Sequence, residues 1–356
     1  MRARSDSANL DLLRAIAVSL VLVFHLLLFF GKTALGSFDL RPMGMLGVLL
    51  FFVHTSLVLM FSLERQQTKI EGAKLFFSFM LRRCARVYPL SLLVVTMIYR
   101  FRLPLGHLVP GALQWIEVGR FGFVSNLLLV QNLTEKESIL GPLWSLPYEM
   151  QMYVFLPLLF LLAQRVRSIK PLVGVWALSV AVALLHARFG HMPDLVRFVP
   201  CFLPGIIAYK AWISGKPRLK FFGWPLVLAV LIPTYILFTA KFEKGWLTCL
   251  VAGLAVPQFA EMSSRWLRRA SHLVAKYSYG IYLVHYFCIW LAFMKFDRLP
   301  LVGQWVVFAA SLVVLPVLLY HTVEAPLLAW GNRLVDRLFA PRALRAPAVK
   351  LAEPAS

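Results

Sequence analysis

LDLLRAIAVSLVLVFHLLLFF, residues Leu10–Phe30, decides the class of this protein. The run is long and apolar enough to cross the hydrocarbon core of a bilayer, which takes about 20 residues of α-helix. Yet it holds Asp11, Arg14 and His25. A charged side chain at the centre of a spanning helix costs about 2.5–3.5 kcal/mol on insertion scales, so those that persist mark functional positions. At about 100° per residue, Arg14 and His25 project about 20° apart, and Asp11 falls within about 60° of both. All three share one face, with His25 about 16 Å further along the axis than Arg14. Arg2 and Arg4 precede the run as in a signal peptide. Its length, its polar residues and the lack of a small-residue cleavage site indicate an uncleaved first helix instead.

The rest of the chain follows the same pattern. Of 356 residues, 60% are hydrophobic and 15% charged, against about 25% charged in an average soluble domain. Nine further apolar runs follow the first: Met43–Leu63, Leu81–Phe101, Leu146–Leu162, Leu172–Phe189, Phe198–Ile213, Phe221–Thr239, Trp246–Glu261, Tyr277–Met294 and Leu301–His321. The expected fold is all-α: a polytopic integral membrane bundle of about ten helices. A shorter stretch, Phe121–Leu133, is expected to be re-entrant or interfacial. The membrane domain covers residues 1–332, and residues 333–356 form a short basic tail expected to be disordered. The net charge of +21 does not indicate nucleic acid, because the basic residues sit between apolar runs. The side holding both termini carries about twice the Lys and Arg of the other, which places both termini in the cytoplasm. Cys84, Cys201, Cys249 and Cys288 fall in different segments without metal-ligand spacing, so neither a disulfide framework nor a metal site is indicated. No internal repeat is visible.

Five further strings carry polar groups at or near membrane depth. In LRRCARVYP, residues 81–89, Arg82, Arg83 and Arg86 open the third run, and Arg82 and Arg86 share a helical face. Arginine forks suit phosphate. GPLWSLPYEMQMYVFLP, residues 141–157, reads as a loop leading into a helix, with Glu149 in the first turn and Tyr153 one turn on. YSYGIYLVH, residues 277–285, sets Ser278, Tyr282 and His285 in one helical stripe. FFVHTSLVLM places His54 and Ser56 inside the second run, and VEAP places Glu324 at the end of the last.

Together these strings resemble the acyltransferase 3 family of bacterial-type membrane acyltransferases. LDLLRAIAVSLVLVFH, FFVHTSLVLM, RRCARVYP, LWSLPYE, YSYGIYLVH and VEAP occur in the family's order, from Leu10 to about Asn332. The second string departs from the usual pattern, with His54-Thr55-Ser56 where an apolar residue precedes Ser-Gly. The resemblance implies an O-acyltransferase of the bacterial inner membrane. It would use acyl-coenzyme A, acetyl-coenzyme A by default, and a carbohydrate or glycolipid hydroxyl as acceptor, in contact with membrane lipids and no nucleic acid. It also implies that His25 and Arg14 are essential and that Arg82, Arg83 and Arg86 belong to a donor site. Histidine ordinarily titrates near neutrality and suits general-base work. His25 is the expected base, Glu149 its orienting partner or an acceptor-binding group, and Asp11 a further donor-site residue. Trp144, Ser145, Tyr153, Ser278, Tyr282 and His285 are expected to bind substrate. A transporter or flippase of a small solute or lipid-linked sugar is the competing class, since it too buries His, Arg and Glu.

Overall fold

The computed structural model describes residues 7–190, 193–215, 219–220, 222–238 and 242–339. Each of the ten apolar runs forms a helix. They are α1 (Ala8–Phe29), α2 (Pro42–Gln67), α3 (Ala73–Phe101), α5 (Leu146–Arg165), α6 (Lys170–Phe189), α7 (Val199–Ser214), α8 (Gly223–Phe238), α9 (Phe242–Ala255), α10 (Arg265–Trp290) and α11 (Leu301–Leu319), while α4 (Gly119–Leu127) is a short helix that overlaps the first half of the 121–133 stretch. Among the described residues seven helices are long and apolar enough to cross a membrane, and Val199–Ser214, Gly223–Phe238 and Gly245–Gln258 are shorter apolar helices. The expected run ends Phe221 and Thr239 lie outside the described residues. Two small antiparallel hairpins, Ala34–Leu35 with Phe38–Asp39 and His107–Val109 with Ala112–Gln114, are the named strands.

Three boundaries differ from expectation, each for a local reason. α3 starts at Ala73, so Arg82, Arg83 and Arg86 lie well inside the helix and do not open it. The preceding AKLFFSFM contains no helix breaker. α10 starts at Arg265, twelve residues before Tyr277, where the Ser264 hydroxyl accepts from the Leu267 amide at 3.4 Å. After α11 the chain passes through a π-helical turn, Tyr320–Glu324, into α12 (Ala325–Phe339). Residues 333–339, expected in the tail, are therefore helical, and the rest of that tail lies outside the described residues.

α2 is the centre of the bundle, packed against α1, α3, α5, α7, α8 and α9. In hydrocarbon, apolar side chains gain little by leaving lipid, so helices associate through close packing and interhelical hydrogen bonds. Here the close approaches run through glycines. A Cβ on Gly47 of α2 would meet the Ala17 carbonyl of α1 at 2.6 Å. One on Gly205 of α7 would meet Ser56 Oγ at 2.1 Å and the Val53 carbonyl at 2.4 Å. The Ser56 hydroxyl reaches across this contact, 2.7 Å from the Phe202 carbonyl. α6 and α11 lie outside, with mostly exposed apolar surfaces suited to lipid.

Both ends of the described chain lie at one end of the bundle. Asn9 of α1 donates to the Ala260 carbonyl just before α10, and α12 lies along α3. The hairpin of His107–Gln114 is at the opposite end, where the Gly111 amide donates to the Phe29 carbonyl at 2.6 Å. Replacing Gly205 by Val should force α2 and α7 apart and destabilise the protein by about 1–3 kcal/mol or more. Thermal unfolding of the detergent-solubilised variant checks this, and an unchanged Tm would refute the close crossing.

Candidate functional site

A cavity of about 100 Å³ opens between α1, α2, α3, α5, α10 and the 3₁₀ turn Gly141–Ser145. α1 contributes Arg14, α2 His54 and Thr55, and α3 Arg83 and Arg86. The 3₁₀ turn contributes Ser145, α5 Glu149 and Tyr153, and α10 Ser278, Tyr279 and Tyr282. The wall is therefore mixed: three guanidinium groups stand among apolar side chains such as Phe51, Phe52, Val58 and Leu59.

Each charge is held differently. Arg14 Nε donates to Ser278 Oγ at 2.6 Å, and the Ser278 hydroxyl donates to the Ala275 carbonyl at 2.8 Å. Arg86 forms an ion pair with Glu324, which is 1% exposed and comes from the π-helical turn. The Tyr153 hydroxyl donates to Glu149 one turn before it. Arg83 Nε has no hydrogen-bond partner, and its guanidinium lies 5.8 Å from the Phe79 ring centroid. His54 is 4% exposed, and its Nδ1 has no partner either. Three guanidinium groups and one carboxylate face the cavity, the second carboxylate being engaged by Arg86. This surplus of positive charge and of unmade hydrogen bonds suits an anionic or strongly polar ligand.

Arg14, Ser278 and Tyr282 continue towards the other end as a file of polar side chains along the α1–α10 contact. Tyr282 donates to the Pro142 carbonyl at 2.7 Å and accepts from Ser145 Oγ at 2.7 Å. One turn beyond it, His285 Nε2 lies 3.0 Å from His25 Nδ1. Tyr286 stands edge-on to both imidazoles, at 4.9 and 5.1 Å between centroids. Arg14 and His25 of α1 thus each have a partner on the stripe of α10: Arg14 with Ser278, His25 with His285.

The expected site residues separate into groups. Arg14, Arg83, Arg86, Ser145, Glu149, Tyr153, Ser278 and Tyr282 meet at the cavity. His25 and His285 lie beyond its Tyr282 end and do not line it. Glu149 engages Tyr153, so the ring that touches His25 is His285 and not the carboxylate. Arg82, expected at the donor site, instead donates to Asn332 and pairs with Asp336 at 2.8 Å, both on α12. The helical turn that aims Arg83 at the cavity aims Arg82 away from it. Asp11 pairs with His272 Nδ1 at 2.8 Å, away from the cavity. Trp144 packs against Tyr148 and Phe198 and does not line it. Sequence reasoning gave no site role to His54, Thr55, Tyr279 or Glu324. Only His54 and Glu324 carried a signal, as ionisable groups in or at the end of an apolar run.

A family model described as an acyltransferase domain matches residues 7–321, which takes in the cavity and the histidine pair. α12, which holds Arg82, lies beyond the match. No curated protein and no solved structure matches the chain. The match covers nearly the whole chain and favours an enzyme over a transporter; the protein belongs to the acyltransferase 3 family of membrane acyltransferases.

Proposed function

We propose that the protein transfers an acyl group, acetyl by default, from acyl-coenzyme A to a hydroxyl of a carbohydrate or glycolipid. The observation that carries this reading is the file of polar side chains from the guanidinium-lined cavity to the His25–His285 pair. A thioester is already activated. What the protein must supply is a place for the donor, a place for the hydroxyl and a group to take its proton.

Arg83 and Arg86 bind the donor from the end of the bundle that holds both chain ends, which faces the cytoplasm of a bacterial inner membrane. Arg83 has an uncommitted fork, and a guanidinium binds phosphate or a polarised carbonyl through paired N–H groups. Arg14 and Ser278 hold the polar arm of the donor within the bundle. The acceptor hydroxyl approaches from the opposite side and meets His25. His25 takes the hydroxyl proton, the oxygen bonds to the thioester carbonyl carbon, and the carbon–sulfur bond breaks. The departing thiolate then takes the proton from His25. Tyr282 and Ser145, between the cavity and the histidines, bind the substrates where the two routes meet.

Replacing His25 by Ala should abolish transfer while leaving the protein folded. Sealed vesicles of known orientation, supplied with radiolabelled acetyl-coenzyme A, report this as label entering extractable glycan. Normal turnover by the variant would refute the base assignment. A second prediction separates two neighbouring arginines. Arg83→Gln should raise the donor Kd about tenfold or more with a smaller effect on saturated turnover. Arg82→Gln should leave that Kd within about threefold and lower the Tm instead, because it loses its α12 partners. Calorimetric titration with coenzyme A and thermal unfolding read the two effects, and equal Kd changes would refute the division.

A further inference from the structure

We propose that His285 is a positioning residue: it fixes His25 as the Nδ1–H tautomer and so leaves the His25 Nε2 lone pair to accept the hydroxyl proton. This rests on the reading of His25 as the base.

The assignment follows from hydrogen-bond polarity. His285 Nδ1 lies 2.8 Å from the Tyr282 carbonyl oxygen and 3.1 Å from that of Ile281. Carbonyl oxygens only accept, so His285 Nδ1 carries a hydrogen. A neutral imidazole has one N–H, so His285 Nε2 carries a lone pair. That nitrogen is 3.0 Å from His25 Nδ1, which must then supply the hydrogen between them. The remaining nitrogen of His25, Nε2, is left as the acceptor. Two backbone carbonyls of α10 thereby set the protonation pattern of a ring on α1.

Exposure assigns the order of the two rings. His285 is 1% exposed, whereas His25 is only partly buried. His25 is therefore the ring that a substrate can reach, with His285 behind it. Tyr286 packs edge-on against both and limits their rotation. The arrangement parallels the orienting group of a catalytic triad, with a neutral imidazole in place of a carboxylate.

The pair also accommodates the charge that appears during transfer. When His25 Nε2 takes the hydroxyl proton, the His25 Nδ1–H already points at His285 Nε2 and can cross to it. His285 would then carry two N–H groups, one donating to His25 and the other to two carbonyl oxygens. Once the carbon–sulfur bond has broken, the proton on His25 Nε2 passes to the thiolate, and both rings return to their starting forms.

Two measurements on the full chain in nanodiscs test this. With ¹⁵N-labelled histidine, NMR of the imidazole nitrogens, assigned through His25→Gln, should show His25 Nδ1 as N–H and Nε2 as bare nitrogen. In His285→Gln the side-chain oxygen still accepts from His25, so the pattern should persist. In His285→Leu it should be lost. Turnover of radiolabelled acetyl-coenzyme A should fall about 10²-fold in His285→Leu, with donor Kd unchanged, and recover to within about tenfold of the native rate in His285→Gln. A wild-type spectrum with the hydrogen on His25 Nε2 would overturn the proposal, as would turnover in His285→Leu within about threefold of native. Should His285→Leu fail to fold, the wild-type and His285→Gln spectra still decide. Full activity in His25→Ala would sink the base reading alone, because the tautomer is read independently of turnover.

Discussion

A polar group inside a bilayer must find its partner within the protein, and here that constraint joins α1 to α10. Water is not available at membrane depth, so a guanidinium or an imidazole without a partner is costly. Arg14 and His25, on one face of α1, meet this demand on a single stripe of α10, through Ser278 and His285. These bonds fix the rotation of α1 about its own axis as well as its position. The central helix α2 can then approach α1 closely, through Gly47. Much of the remaining packing follows from that pair, since α7 lies against α2 and α9 against α7.

The basic cluster of α3 shows how three neighbouring arginines acquire different tasks. Successive positions on a helix are about 100° apart. Arg82 therefore faces α12 while Arg83 faces inward. Arg86 is a full turn beyond Arg82, reaches the cavity edge and meets Glu324 of the π-helical turn. The carboxylates of the last helical segment thus pair with two of the arginines, while Arg83 makes no ion pair among the described residues. A buried ion pair such as Arg86–Glu324 contributes little net stability, but leaving either partner alone would be expensive, by about 3–5 kcal/mol. The position of the last segment is therefore tied to the electrostatics of the cavity.

Much of this was legible in the sequence, and the failures share a cause. The ten helices were readable because apolar runs of 16–21 residues have almost no alternative to helix in a membrane. The shared face of Arg14 and His25 was readable because it follows from helical periodicity alone. Their partners were only half readable: the stripe of Ser278, Tyr282 and His285 was visible, but nothing local says that it faces α1. Arg82 was grouped with Arg83 and Arg86 because the three are adjacent in sequence, whereas their surroundings depend on where α12 lies. Asp11 shares a face and an end of α1 with Arg14, which groups it with the donor site, but its partner His272 sits on a part of α10 whose charged, amphipathic sequence does not read as a membrane span. His54 was seen as a polar residue, but whether it is satisfied depends on three-dimensional neighbours.

The bonds made by Tyr282 bear on a different property of the membrane. A file of ionisable and hydroxyl groups running through a bundle is also a potential wire for protons, and a cell that maintains an electrochemical gradient cannot tolerate an open one. Between Ser278 and His285 the file passes through a hydroxyl whose hydrogen is turned sideways, onto the Pro142 carbonyl, and which accepts from Ser145. A backbone carbonyl cannot hand a proton onward. In this arrangement the Tyr282 hydroxyl donates to neither Ser278 nor His285, so the hydrogen-bonded file is interrupted between the charged cavity and the histidine pair, two helical turns apart.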